Sequence, residues 1–175
     1  MLGPAALKLI FKGVGAEKAA GPKGLQARNT RKKDKLEMIK EISPLEAFNI
    51  LEQEKEAVLV DVRSTMEYEY VGHPLNALHA PLKEPPDWNT APGFVEQLKA
   101  LLVQKRGSDK GLVEVPLLML CRSGARSRHA AELMAEDGFT SVYNVLEGFE
   151  GDKDDKGHRN TTGGWRFHGL SWEQS

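Results

Sequence analysis

Two apolar runs constrain the fold more than anything else in the chain: AVLVDVR at residues 57–63 and VEVPLLML at residues 113–120. Each has the length of one strand and is apolar at consecutive rather than alternate positions. A strand of that kind is buried on both faces, as in parallel sheets covered by helices on either side. TSVYNV at residues 140–145 supplies a further strand, and a brief one is expected around residues 77–79.

The segments between these runs read as helices. In ISPLEAFNILEQ, Ser43 can cap, Pro44 suits the first turn and Glu46 stands at the capping-box position, with Leu45, Phe48 and Leu51 on one face. Ser64 and Glu67 repeat that spacing, so STMEYEY is expected to be a short helix. Phe94, Val95, Leu98, Leu101 and Leu102 mark a longer one that Gly107 stops; Ala130, Leu133 and Met134 mark another, ended by Gly138. The expected fold is therefore α/β, an open and mostly parallel sheet with helices on both faces. The glycine-rich, aromatic segment at residues 146–172 is expected to form ordered loop and short helix.

A chain of 175 residues suits one domain with an extension. Residues 1–42 carry ten Lys/Arg against four Asp/Glu, and the remainder fourteen against twenty-one. The expected organisation is a basic, flexible extension over residues 1–38 and a folded domain over residues 39–175. An acidic body argues against nucleic acid as a partner. No apolar run has the length of a membrane span, and the opening MLGPAALKLIFKG makes a poor secretory signal. The cytoplasm is the expected location, with an organelle as the alternative if the basic extension is a targeting peptide.

The chemistry concentrates in LMLCRSGARSRHAAELMAEDG, residues 118–138, which holds the single cysteine, Cys121. One cysteine excludes an intramolecular disulfide, a two-cysteine redox motif and a cysteine-rich zinc site. Cys121 ends a buried strand, where ligands gather in open parallel sheets. The residues after it turn into a helix N-terminus, whose free N–H groups favour an anion. Gly124 lets several of them converge. A lone cysteine is ordinarily an inert core residue. Arg122, Gly124, Arg126 and Ser127 clustered beside it argue otherwise, because burying them unpaired is costly. Fixed positive charge favours the thiolate, which is the nucleophilic form.

Two anion chemistries fit such a loop, phosphoryl transfer and sulfur transfer. Cysteine-dependent phosphatases place five residues between cysteine and arginine; here four separate Cys121 from Arg126. The smaller loop suits a single sulfur carried on the cysteine. CRSGARS resembles the active-site loop of the rhodanese family of sulfurtransferases. LVDVRSTMEYEYVGHPLNALHAPL is similar to that family's first signature, and GGWRFHGLSW to its C-terminal pattern. Together they cover residues 38–172.

The resemblance implies a rhodanese-like fold and a sulfurtransferase of the thiosulfate type, which takes sulfane sulfur from thiosulfate or a similar donor through a persulfide on Cys121. No resident cofactor or metal is expected, the transient cysteine persulfide being the only carrier. Loop residues Arg122, Ser123, Gly124, Ala125, Arg126 and Ser127 would bind the anionic donor, with Arg126 favoured for direct contact and Ser127 as a possible helix cap. Asp61, Arg63 and Glu67 are expected to be supporting scaffold: Arg63 and Glu67 as an ion pair, Asp61 holding the loop. Lacking a second cysteine, the protein would pass its sulfur to cyanide, a small thiol or a protein thiol. The alternatives are a persulfide carrier or interaction module serving a partner protein, and a cysteine-dependent phosphatase or arsenate reductase.

Other features are read as structural. His73 and His79 are expected to be structural polar groups, and His129 to face solvent. Trp88, in the proline-rich loop KEPPDWNTAPG, is expected to be a core aromatic, with a place over the site as the alternative. DKDDKG lacks calcium-loop spacing, since its twelfth position is Gly163. GVG near Gly13 lacks both a third glycine and a preceding strand.

Overall fold

The computed structural model describes residues 36–174; the basic extension lies outside them except for its last three residues. Leu36 already packs against the core. Five strands form one sheet in which every pairing is parallel: β1 (Lys40–Ile42), β2 (Val58–Asp61), β4 (Leu78–His79), β5 (Leu117–Leu120) and β6 (Val142–Val145). Their order across the sheet is β1-β6-β5-β2-β4. Two short strands, β3 (His73–Pro74) and β7 (Trp172–Glu173), make a separate antiparallel pair.

Helices cover both faces. Val58 and Val60 of β2 and Leu117 and Met119 of β5 point into one layer, with Leu98 and Leu102 of α2 (Phe94–Arg106) and Ala130 and Met134 of α3 (Ala125–Asp137). Leu59, Leu118 and Leu120 point the other way, onto Ala47 of α1 (Pro44–Gln53) and onto Phe149, Trp165 and Leu170. Each fully buried aliphatic side chain contributes roughly 1.5–3 kcal/mol, so the unbroken apolar runs are a direct consequence of having two layers to fill.

The capping boxes form as their spacing predicts. Glu46 Oε2 accepts from the Ser43 N–H at 2.7 Å while Ser43 Oγ accepts from the Glu46 N–H at 3.3 Å. Ser64 and Glu67 repeat the exchange at 3.1 and 3.3 Å, and open a segment that closes as a π-helix, Glu67–Val71. The segment at residues 146–172 differs from expectation: it is built of turns and holds no regular helix. Glycines at 163, 164 and 169 deny a helix its propensity there.

Arg63 corrects the pairing that the resemblance implied. Its guanidinium, fully buried, donates to Asp61 through Nε at 3.0 Å and Nη2 at 2.6 Å, and Nη2 also donates to the Gly72 carbonyl at 2.7 Å. The Phe149 ring lies 4.1 Å from its centre. Asp61 is thus spent on Arg63 rather than on the cysteine loop. Chain geometry explains the change: residues two apart in an extended segment share a side, whereas Glu67 lies beyond a turn. Removing one partner of a buried pair leaves the other unpaired, so Arg63→Ala should cost about 3–5 kcal/mol in urea unfolding. A cost below about 1 kcal/mol contradicts this structural role.

Candidate active site

The site forms where β2 and β5 end side by side, Asp61 being in register with Leu120. Cys121 is the next residue, and its side chain is only 1% exposed. Two groups donate to its sulfur: the Gly124 N–H at 3.2 Å and the Ser127 hydroxyl at 3.3 Å. The Ser127 hydroxyl also lies 3.0 Å from the Gly124 carbonyl. Ser127 therefore serves the sulfur from inside α3, and the cap position belongs to Gly124. Ser123 is half-buried and Ala125 exposed.

Gly124 is required by geometry. Its φ is +95°, and a Cβ there would stand 2.1 Å from the Leu146 carbonyl oxygen. Only glycine brings the loop this close while turning an N–H toward the sulfur. A second glycine braces the loop from behind, one that sequence reasoning had not singled out. At Gly148, φ +61°, a Cβ would meet the Cys121 and Arg122 backbone at 2.5–2.7 Å. Beyond it, the Phe149 N–H donates to the Cys121 carbonyl at 2.8 Å and the Glu150 N–H to the Arg122 carbonyl at 3.0 Å. The signal was the glycine spacing in EGFEG, residues 147–151, but its partner segment is not local.

Arg126 is committed inside the protein. Its two terminal nitrogens donate to the two Glu67 oxygens, both at 2.7 Å. This corrects two expectations: Glu67 pairs with Arg126 rather than Arg63, and Arg126 is not free for direct donor contact. Arg122 is the more available cation, 47% exposed, with Nε 3.9 Å from Glu67. Burial lowers the Arg126 pKa, and the Glu67 contacts more than reverse this, holding it above its ordinary value. A cleft of about 400 Å³ is lined by Glu67, Lys83, Trp88, Arg122 and Arg126. Trp88 is 47% exposed there, so it is not the core aromatic expected.

His73 and His79 fall near the scaffold. His73 is buried and His79 half-buried; they stack on either side of Tyr68, with ring centres 3.7 and 4.2 Å away. His79 Nε2 is 3.0 Å from the Arg63 carbonyl, tying that stack to the buried ion pair. His129 is half-buried. Among the described residues no group of three His, Cys, Asp or Glu is placed to hold a metal, and no helix is long and apolar enough to cross a membrane.

The sequence profile described as Rhodanese-like domain matches residues 43–155, and so spans both the β2 signature and the cysteine loop. The chain belongs to the rhodanese-like family. It is 33% identical over 115 residues to the thiosulfate sulfurtransferase GlpE of Actinobacillus pleuropneumoniae, covering 66% of this chain and 87% of that one. It is 30% identical over 137 residues to an uncharacterized protein of Rickettsia prowazekii, covering 78% of this chain and 98% of that one. Among solved structures, the crystal structure of Rv0390 from M. tuberculosis aligns with a TM-score of 0.65 at 38% identity, covering 77% of this chain and 97% of that one. The rhodanese-like fold, a parallel five-stranded sheet between helices, is thus shared with known members.

Glu67 gives this rhodanese-like site a measurable pH signature. Burial alone would raise its carboxyl, but the Arg126 fork and the Ser64 donors outweigh burial and hold its pKa at about 2, against an ordinary 4.5. A depressed carboxylate stabilises the fold above its unfolded pKa, and that contribution is lost as pH falls through the folded one. Glu67→Gln should therefore cost on the order of 2–3 kcal/mol at neutral pH. Denaturant unfolding against pH should show that cost shrinking between about pH 4.5 and pH 2; a cost independent of pH contradicts the assignment.

Proposed function

We propose that the protein is a single-domain sulfurtransferase that carries sulfane sulfur as a persulfide on Cys121. The observation that carries this reading is the convergence of the Gly124 N–H and the Ser127 hydroxyl on one sulfur, beside a cleft lined with cations. The Cys121 thiolate attacks the outer sulfur of thiosulfate. A new S–S bond forms, the donor's S–S bond breaks, and its electron pair leaves with sulfite. The product is Cys121–S–S⁻, whose terminal charge the loop donors stabilise. An acceptor nucleophile then attacks the outer sulfur and the thiolate is regenerated. With cyanide the product is thiocyanate; with a small or protein thiolate it is a new persulfide.

The sulfur chemistry resides in the cysteine itself, so no resident cofactor or metal is invoked. The absence of a second cysteine makes an external acceptor obligatory, and no nucleic acid takes part. A lone thiol suits a reducing compartment, and we assign the reaction to the cytoplasm. Because Cys121 is 1% exposed, the loop must open slightly to admit the donor. Arg122 is assigned to attract the donor, and Arg126, through Glu67, to position the loop. The commitment of Arg126 to Glu67 also weighs against a phosphatase or arsenate-reducing site, whose arginine must be free to grip the oxyanion.

The test is thiocyanate production from thiosulfate and cyanide. Native protein should turn over and Cys121→Ser should not. Arg122→Ala should raise KM for thiosulfate about ten-fold, the equivalent of roughly 1.4 kcal/mol, with kcat little changed. Arg126→Ala should instead lower kcat and the unfolding midpoint together. Turnover surviving in Cys121→Ser overturns the reading. Absence of turnover in the native protein, with a protein-bound persulfide, identifies a carrier serving a partner.

A further inference from the structure

We infer that Trp88 is a specificity-determining residue of the cleft and selects organic sulfur anions, an anionic sulfur head on an apolar or planar body, over inorganic ones. The inference rests on the sulfurtransferase reading and names the substrate class of that same site. It begins with a residue whose placement the core does not explain. Trp88 stands in the left-handed backbone region, φ +53°, which a bulky side chain rarely adopts. Its ring is nevertheless half exposed. A strained backbone and an exposed indole both oppose folding, and such features persist where a site requires them.

The loop around Trp88 is tied at several points. Lys83 and Thr90 pair across its base, and the Ala91 N–H donates to the Leu82 carbonyl at 2.8 Å. The Trp88 N–H donates to the Glu84 carbonyl at 3.0 Å. The Glu84 carboxylate in turn accepts from the Thr65 N–H and hydroxyl at 2.8 and 2.6 Å, binding the loop to the segment that carries Glu67. The indole is thereby held in the wall of the cleft that the cysteine loop's arginines also line.

The other lining groups define what fits beside it. Glu67 neutralises Arg126, which leaves Arg122 and Lys83 to attract an anion; among the described residues Lys83 pairs with no carboxylate. Thiosulfate satisfies the cations and leaves the indole in water. An aryl or alkyl group attached to the same head covers it, by apolar burial and ring stacking. Trp88 thus adds affinity only for ligands that have such a group.

The probe is benzenesulfonate, with sulfate as its inorganic counterpart, bound to the full chain carrying Cys121→Ser so that no transfer can occur. By calorimetry, adding Trp88→Ala should weaken benzenesulfonate about 3- to 10-fold, the range for an aromatic contact, and change sulfate less than about two-fold. Trp88→Phe should restore most of the lost affinity. In the protein with Cys121 intact, Trp88→Ala should lower kcat/KM for benzenethiosulfonate by a similar factor, and by more than it lowers kcat/KM for thiosulfate. Unchanged benzenesulfonate affinity in Trp88→Ala, or an equal loss for both anions, overturns the assignment. Failure of the sulfurtransferase reading shows separately, as absent turnover with either donor while the binding contrast is still read.

Discussion

The carboxylate of Glu67 is the point on which the site depends. It closes the capping box that starts its own π-helix, accepts both forks of Arg126 from α3, and lies within reach of Arg122. Two segments far apart in the chain, residues 64–67 and 122–126, are joined by two oxygens. Its charge also sets the electrostatics of the cleft: by pairing with Arg126 it leaves the positive potential chiefly on Arg122 and Lys83. A partly buried charge pair is worth little unless every lone pair is used. Here the serine donors and the guanidinium fork use them.

The cysteine loop is held from two further sides, and both supports are backbone. Gly124 presses against the Leu146 carbonyl, and the Phe149 and Glu150 N–H groups hold the carbonyls of Cys121 and Arg122. Phe149 then covers the Arg63 guanidinium, which is locked onto Asp61 at the end of the adjacent strand. The glycine-rich segment is therefore the floor of the site. Its contacts hold the closed loop with the Gly124 N–H and the Ser127 hydroxyl aimed at one sulfur, an arrangement suited to stabilising a developing anion.

Much of this was legible because the relevant signals are local. Unbroken apolar runs report strands buried between two layers, and Ser-x-x-Glu spacing reports a helix start twice. The cysteine loop was legible from the types and order of its residues. What escaped was encoded only in tertiary contacts. Strands β1 and β7 span three and two residues, and exist because β6 and β3 pair with them. Spacing places Glu67 four residues from Arg63, yet its partner Arg126 lies 59 residues away. Gly148 matters only because the Cys121 and Arg122 backbone lies against it. Trp88 looked like a core residue because an indole usually is one, and nothing in KEPPDWNTAPG reveals that the loop is pinned across its base and to Thr65.

The central claim is that Cys121 carries sulfur. It is tested most directly by the intact mass of the protein after brief exposure to thiosulfate and removal of excess donor. The account predicts one added sulfur atom on the native chain, lost on addition of cyanide, and none on the Cys121→Ser protein. A native mass that never changes, or an added sulfur that persists in Cys121→Ser, contradicts it.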